Sequence, residues 1–222
     1  RVTLPVAVLV ALTLTLDPGP PPPADPEAPL IRLVQPNVPQ VEKTDPVAIP
    51  VYTRRLLDLS AAAGAPDLVV WPEVALPWML DDMPDVLAMA AEAAGAPLVS
   101  GVQRHEGGNY YNSLALIGPQ GRVDAVYDKH HLVPFGEYIP LGAMLARWGI
   151  HGVAAYEAGS YSPGPGPAPM EIPGIGTALP LICYEGIFAE EIPRAPDARL
   201  MLLITNDAWF GNFAGPYQHF AL

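Results

Sequence analysis

Residues 17–29 read Asp-Pro-Gly-Pro-Pro-Pro-Pro-Ala-Asp-Pro-Glu-Ala-Pro, a stretch that neither a helix nor the interior of a sheet accepts. Proline lacks the backbone N–H that either ladder needs, and its fixed φ favours an extended, semi-rigid spacer. The run therefore splits the chain into an apolar N-terminal end, residues 1–16, a linker over 17–29, and a main domain over 30–222. Residues 2–16 carry no charge. As a helix they would span about 22 Å, short of the roughly 30 Å of a bilayer core. A signal-peptide core, a buried strand or helix, and the last turns of a truncated membrane helix are all open to them. Thr-Leu-Asp-Pro-Gly is a poor cleavage site, which favours the membrane-helix remnant. A start at Arg1 and an end at Gln218-His219-Phe220-Ala221-Leu222, which reads as a helix beginning, lead us to expect a fragment.

From Leu30 onward, short apolar runs alternate with helical spacing. Strands are expected at 31–34, 67–71, 98–103, 111–117, 123–127, 170–172, 176–183 and 200–205. Helices are expected at 47–63, at 84–94 between Pro84 and Gly95, and at 141–148. Residues 160–169 are too rich in Pro and Gly for anything but a loop. Apolar strands in this order indicate an α/β domain with a largely covered sheet. The net charge of −12 argues against a nucleic-acid partner, which would demand a basic surface.

Three of these runs end in a residue able to do chemistry: Glu73, Lys129 and Cys183. Strand ends are where a rigid scaffold meets adaptable loops. Glu73 follows Val-Val-Trp-Pro, a setting that should raise its pKa and suit it to general-base work. Lys129 is one of only two lysines, with Lys43, in a chain that otherwise uses arginine. A compact ammonium can hold a developing oxyanion and lower a thiol pKa. Cys183 is the sole cysteine and so staples nothing. Read singly, each has an ordinary alternative: a helix-start carboxylate, a surface lysine, a small buried hydrophobe. Together they form the set needed for acyl transfer through a thioester: a base, a cation and a thiol. His130 and His131, as neighbours on a strand, should point to opposite faces and lack further ligands, so no metal site is expected.

Glu73, Lys129 and Cys183, in that order and context, resemble the Glu-Lys-Cys triad of the nitrilase (carbon–nitrogen hydrolase) superfamily. Longer words narrow the resemblance. These are Val-Trp-Pro-Glu at 70–73, Tyr-Asp-Lys-His-His-Leu-Val-Pro-Phe-Gly-Glu-Tyr-Ile-Pro-Leu at 127–141, Ile-Cys-Tyr-Glu at 182–185, and Thr-Asn-Asp-Ala-Trp-Phe-Gly at 205–211 followed by Gln218-His219. They are similar to the apolipoprotein N-acyltransferase family, membrane enzymes of bacterial lipoprotein maturation, over about residues 31–222.

The resemblance implies a nitrilase-like four-layer α-β-β-α sandwich, held on the periplasmic face of the bacterial inner membrane between transmembrane helices. It implies Cys183 as nucleophile, Glu73 as general base and Lys129 as oxyanion stabiliser, with a backbone N–H near Tyr184 assisting. Glu137 would orient the lysine or the base, and Glu185 would be a further carboxylate near the site. Trp209 and Phe210 would line the acyl or lid side, unless they are ordinary core aromatics. The implied partners are a phospholipid acyl donor such as phosphatidylethanolamine, a diacylglyceryl-apolipoprotein acceptor and the membrane itself. No metal or organic cofactor is implied. A soluble or tethered carbon–nitrogen hydrolase with the same triad is the alternative activity, and a tethered, non-catalytic binding module is another.

Overall fold

The computed structural model describes residues 25, 27–138, 140, 160–190, 195–210 and 214–220. The proposed membrane-helix remnant, most of the linker and the expected helix at 141–148 lie outside them. Among the described residues eight strands, β1 (Ile31–Leu33), β2 (Leu68–Val70), β3 (Leu98–Glu106), β4 (Asn109–Ile117), β5 (Val123–Asp128), β6 (Met170–Ile172), β7 (Gly176–Ile182) and β8 (Leu200–Ile204), form two sheets. The first runs β1-β2-β3-β4-β5, parallel as far as β3 and antiparallel beyond it. The second runs β6-β7-β8, with β7 and β8 parallel.

Helices α1 (Ala48–Ser60) and α2 (Pro84–Ala94) cover one face of the first sheet. Leu56, Leu87, Ala90 and Ala94 pack there on Val69, Leu98, Ala115 and Ile117. Pro84 sits at the start of α2, where its missing N–H is harmless. Gly95 closes that helix in the left-handed conformation, donating its N–H to Ala91. The other face of the first sheet packs on the second sheet. Leu68, Val70, Val99, Leu114 and Leu116 meet Met170, Ala178, Ile182, Leu202 and Ile204 in a single core. Strand β7 is buried on both faces, because Leu179 and Leu181 point the other way and pack with Ala195. Pro180 is tolerated there because it lies past the end of β6, where the ladder recorded for that side has already stopped.

Helices, first sheet and second sheet give the α-β-β order of the expected sandwich, while on the outer face of the second sheet Met201 and Leu203 are exposed beside the buried Leu179 and Leu181. Among the described residues no helix is long and apolar enough to cross a membrane. The antiparallel hairpin of β3 and β4 is longer than the expected 98–103 and 111–117. Gly107 and Gly108 both take positive φ, +57° and +86°, so a two-residue turn carries the pairing out to Glu106 and Asn109.

Gly101 of β3 joins this scaffold to the chemistry. A Cβ on it would lie 2.5 Å from the Glu73 Cα, and 2.6 Å from both the Pro72 oxygen and the Val74 nitrogen. All three are backbone atoms with nowhere to go. Gly101→Ala is expected to lower stability by about 1–3 kcal/mol. It should also lower Cys183 reactivity by displacing Glu73, checked by denaturant unfolding and alkylation on the same preparation. Full stability and reactivity in the variant would contradict this close approach.

Candidate active site

Each sheet delivers its reactive groups just past a strand end. Beyond β2 the chain keeps to the edge of β3, Gly101 N–H donating to the Pro72 oxygen at 3.2 Å and Ala75 N–H to the Gly101 oxygen at 3.0 Å. This presents Glu73 inward, 5% exposed. Glu73 Oε1 accepts from Asn112 Nδ2 at 2.8 Å and Oε2 from the Asn206 backbone N–H at 3.0 Å. Lys129 follows β5 directly, its N–H donating to the Asn112 oxygen at 2.9 Å, and is 1% exposed.

The lysine ammonium sits between two carboxylates. Its Nζ lies 2.9 Å from Glu137 Oε1 and Oε2 and 3.7 Å from Glu73 Oε1. Glu137 is carried by a tight turn, its own N–H donating to the Val133 oxygen and the Val133 N–H returning to Glu137 Oε2 at 2.8 Å. Asn112 Nδ2 bridges both acids, reaching Glu137 Oε1 at 2.9 Å.

Cys183 opens a short 3₁₀ turn, Cys183–Ile187, with φ +52°. A left-handed non-glycine residue is strained, and such strain holds a side chain where a relaxed strand would not point it. The carboxylate of Glu185, wholly buried, anchors this turn. Its Oε2 accepts from the Ile182 N–H at 2.8 Å. Its Oε1 accepts from the Tyr127 hydroxyl at 2.9 Å and from the His130 and His131 N–H groups at 2.8 and 3.2 Å. Glu185 thereby ties the segment after β5 to the segment after β7. It makes no contact with Lys129, whose two carboxylates are Glu73 and Glu137. Glu185, expected as a further carboxylate near the site, is thus a clamp between the segments carrying Lys129 and Cys183.

Protonation follows from burial and pairing. Burial raises the Glu73 carboxyl above its ordinary value, although Lys129 and the Asn112 hydrogen bond oppose it. Burial pulls the Lys129 ammonium down, but Glu73 and Glu137 outweigh it and leave the pKa raised. Burial and the Glu73 charge push the Cys183 thiol up to about 12, against the opposing pull of Lys129 and a hydrogen bond with Thr205. The expectation that Lys129 lowers the thiol pKa is right in direction and is outweighed. The resting site therefore keeps the proton on sulfur and the positive charge on Lys129.

Other expectations need adjustment. His130 and His131 lie past the end of β5, so strand alternation does not govern them. Their rings are 4.2 Å apart, and His131 stacks on Phe188 at 3.9 Å. Tyr184 is half-buried edge-on to Phe188. Trp209 and Phe210 belong to the 3₁₀ turn Asp207–Phe210, and their side chains lie outside the described set. Asn112 was not anticipated. A buried asparagine within a strand was the available signal, since asparagine is poor in strands unless something holds its amide.

Residues 31–222 match the family model of the carbon–nitrogen hydrolases. The chain belongs to that family. It is 43% identical over 206 residues to the apolipoprotein N-acyltransferase of Sinorhizobium fredii, covering 86% of this chain and 38% of that one. It is 37% identical over 211 residues to the apolipoprotein N-acyltransferase of Brucella suis, covering 88% and 40%. The chain thus spans about two fifths of the length of these curated relatives. Among solved structures, a mutant amidase from Nesterenkonia sp. AN1 with an acetamide moiety on its active-site cysteine superposes with TM-score 0.55 at 16% identity, over 83% of this chain and 68% of that one. A double mutant of the same amidase in complex with acrylamide gives TM-score 0.55 at 18% identity, over 90% and 76%. These likenesses show the fold.

The electrostatics make a signed prediction for Glu137. Its charge raises the Glu73 pKa. Glu137→Gln should therefore move the acid limb of Cys183 acylation by an activated ester to lower pH. Its maximal rate should fall roughly 10- to 1000-fold as Lys129 loses its closest partner. A pH–rate profile checks both, and an acid limb moving to higher pH would contradict the assignment.

Proposed function

We propose that this chain carries the catalytic domain of a membrane N-acyltransferase. The enzyme moves a fatty acyl chain from a phospholipid, through a thioester on Cys183, to the N-terminal amine of a diacylglyceryl-cysteine apolipoprotein. The observation that carries the reading is the 43% identity to a curated N-acyltransferase across the segment holding the buried Glu73 and Lys129 and the half-buried Cys183. The domain would lie on the periplasmic side of the bacterial inner membrane, with residues 1–16 ending a transmembrane helix and 17–29 serving as the linker.

The first half-reaction begins with the thiol proton passing to Glu73 as sulfur attacks the sn-1 ester carbonyl of a phosphatidylethanolamine-like donor. Proton loss and attack are coupled, because a thiol raised to about 12 supplies almost no free thiolate. The carbonyl electrons move onto oxygen, where the Lys129 ammonium and the Tyr184 backbone N–H hold the oxyanion. Collapse breaks the ester C–O bond, and Glu73 returns its proton to the departing lysophospholipid alkoxide.

The second half-reaction repeats the geometry. The acceptor amine attacks the thioester carbonyl and gives a proton to Glu73. The tetrahedral oxyanion collapses to the amide, and the expelled thiolate recovers that proton. Throughout, one negative charge moves among Glu73, the sulfur and the substrate oxygen, always facing Lys129. Glu137 keeps the lysine in place, and Glu185 fixes the distance between the segments that carry lysine and thiol.

The test uses membranes containing the full-length protein, incubated with phosphatidylethanolamine, followed by mass analysis of the peptide bearing Cys183. A fatty-acyl mass increase, lost in Cys183→Ala and in Glu73→Gln, is the expected result. An unmodified thiol together with hydrolysis of small amides would overturn the transferase reading in favour of a hydrolase.

A further inference from the structure

Lys43 has no part in the reaction as derived, yet its setting is unusual. It lines a cavity of about 220 Å³ together with Gln35, Val38, Glu73, Asn206 and Asp207. The side chain is half-buried. Among the described residues no carboxylate lies within ion-pair distance of its ammonium, which feels only the longer-range field of Glu73. Burial accordingly lowers its pKa, with Glu73 opposing. Half-burying a cation without a counter-ion is unfavourable unless a ligand supplies one.

A second group at the same cavity is also short of a partner. Asn206 gives its backbone N–H to Glu73, and its Oδ1 accepts from the Ala208 N–H at 3.3 Å. Its Nδ2 is buried and has no hydrogen-bond partner among the described residues. The carboxylates sharing the cavity are, by contrast, engaged. Glu73 is held by Asn112, Asn206 and Lys129, while Asp207 Oδ1 lies 2.7 Å from His219 Nδ1 and accepts from Thr205 at 3.1 Å. An ammonium and an amide N–H, both lacking acceptors, call for an anion with oxygen atoms. Thr205 lines this cavity and hydrogen-bonds the Cys183 thiol, so the anion would sit beside the reacting ester.

We infer that Lys43 and Asn206 form a cradle for the phosphodiester of the acyl donor and so help to select a phospholipid as substrate. This rests on the transferase reading. Of its two substrates, only the donor must bring a phosphate, joined through glycerol to the ester under attack. The acceptor brings an amine, which Lys43 would repel as an ammonium.

The experiment compares wild type, Lys43→Gln and Lys43→Arg in the full-length protein. Cys183 acylation is measured with phosphatidylethanolamine and with an uncharged p-nitrophenyl ester of the same fatty acid. In Lys43→Gln the ratio of kcat/KM for phospholipid to that for the uncharged ester should drop about tenfold or more, through KM, and Lys43→Arg should restore most of it. An unchanged ratio in Lys43→Gln overturns the proposal.

Protection of Cys183 from alkylation by an ether-linked phospholipid, which cannot donate an acyl group, reads the cradle without turnover. It should weaken by a similar factor in Lys43→Gln, and equal protection in variant and wild type overturns the proposal even if no thioester forms. Equal protection by inorganic phosphate at the same concentration would overturn the lipid assignment. Absence of the thioester from wild type with either donor would instead defeat the transferase reading.

Discussion

The site depends on one arrangement: the Lys129 ammonium buried between Glu73 and Glu137. A buried ammonium without partners would be destabilised by several kcal/mol, and removing one partner of a buried pair typically costs about 3–5 kcal/mol. Two carboxylates close together are equally unfavourable without a cation. The three charges therefore require one another, and Asn112 stabilises the group by donating to both acids. Each member comes from a different part of the chain: Glu73 follows β2, Lys129 follows β5, and Glu137 stands in the turn beyond it. The cluster can assemble only when the first sheet is correctly registered.

The thiol is joined to this cluster by backbone geometry and by Glu185. The left-handed conformation of Cys183 turns the chain sharply out of β7. Glu185, accepting hydrogen bonds from both segments, keeps that turn against the one carrying Lys129. With the thiol raised to about 12, roughly one molecule in 10⁵ carries a free thiolate at neutral pH. Burial raises both the Glu73 carboxyl and the Cys183 thiol, and the Glu73 charge adds to the rise of the thiol. Moving the proton from sulfur to Glu73 removes one of the charges that add to burial in holding the thiol up, and leaves Lys129 facing a thiolate. Water reaching such a site would weaken every one of these interactions, and Glu73 and Lys129 are buried from it.

Much of this was legible in the sequence, for identifiable reasons. Apolar runs stop where a charge begins, so Val-Trp-Pro-Glu, Tyr-Asp-Lys and Leu-Ile-Cys marked the three strand ends. Proline and glycine marked both ends of α2 correctly, because each is selected by a backbone requirement. What was missed depends on direction and register. The outer ends of β3 and β4 carry Arg104, His105, Glu106 and Asn109, polar because they are at the solvent, and so read as loop. Asn112 belongs to the site only because pairing with β5 places it beside Lys129. Glu185 lies two residues from Cys183 in sequence, yet its carboxylate goes to the Ile182, His130 and His131 N–H groups and the Tyr127 hydroxyl. The lowering effect of Lys129 on the thiol was legible from residue type, whereas the burial and the Glu73 charge that outweigh it depend on the fold.

The central claim is that the resting site keeps its proton on Cys183. The direct measurement is the ultraviolet thiolate absorbance of the full-length protein, taken as a difference from Cys183→Ser, followed between about pH 6 and about pH 9. The account predicts no thiolate signal from Cys183 across that range. A thiolate already formed near neutral pH, with a midpoint below that of an ordinary cysteine, would contradict it.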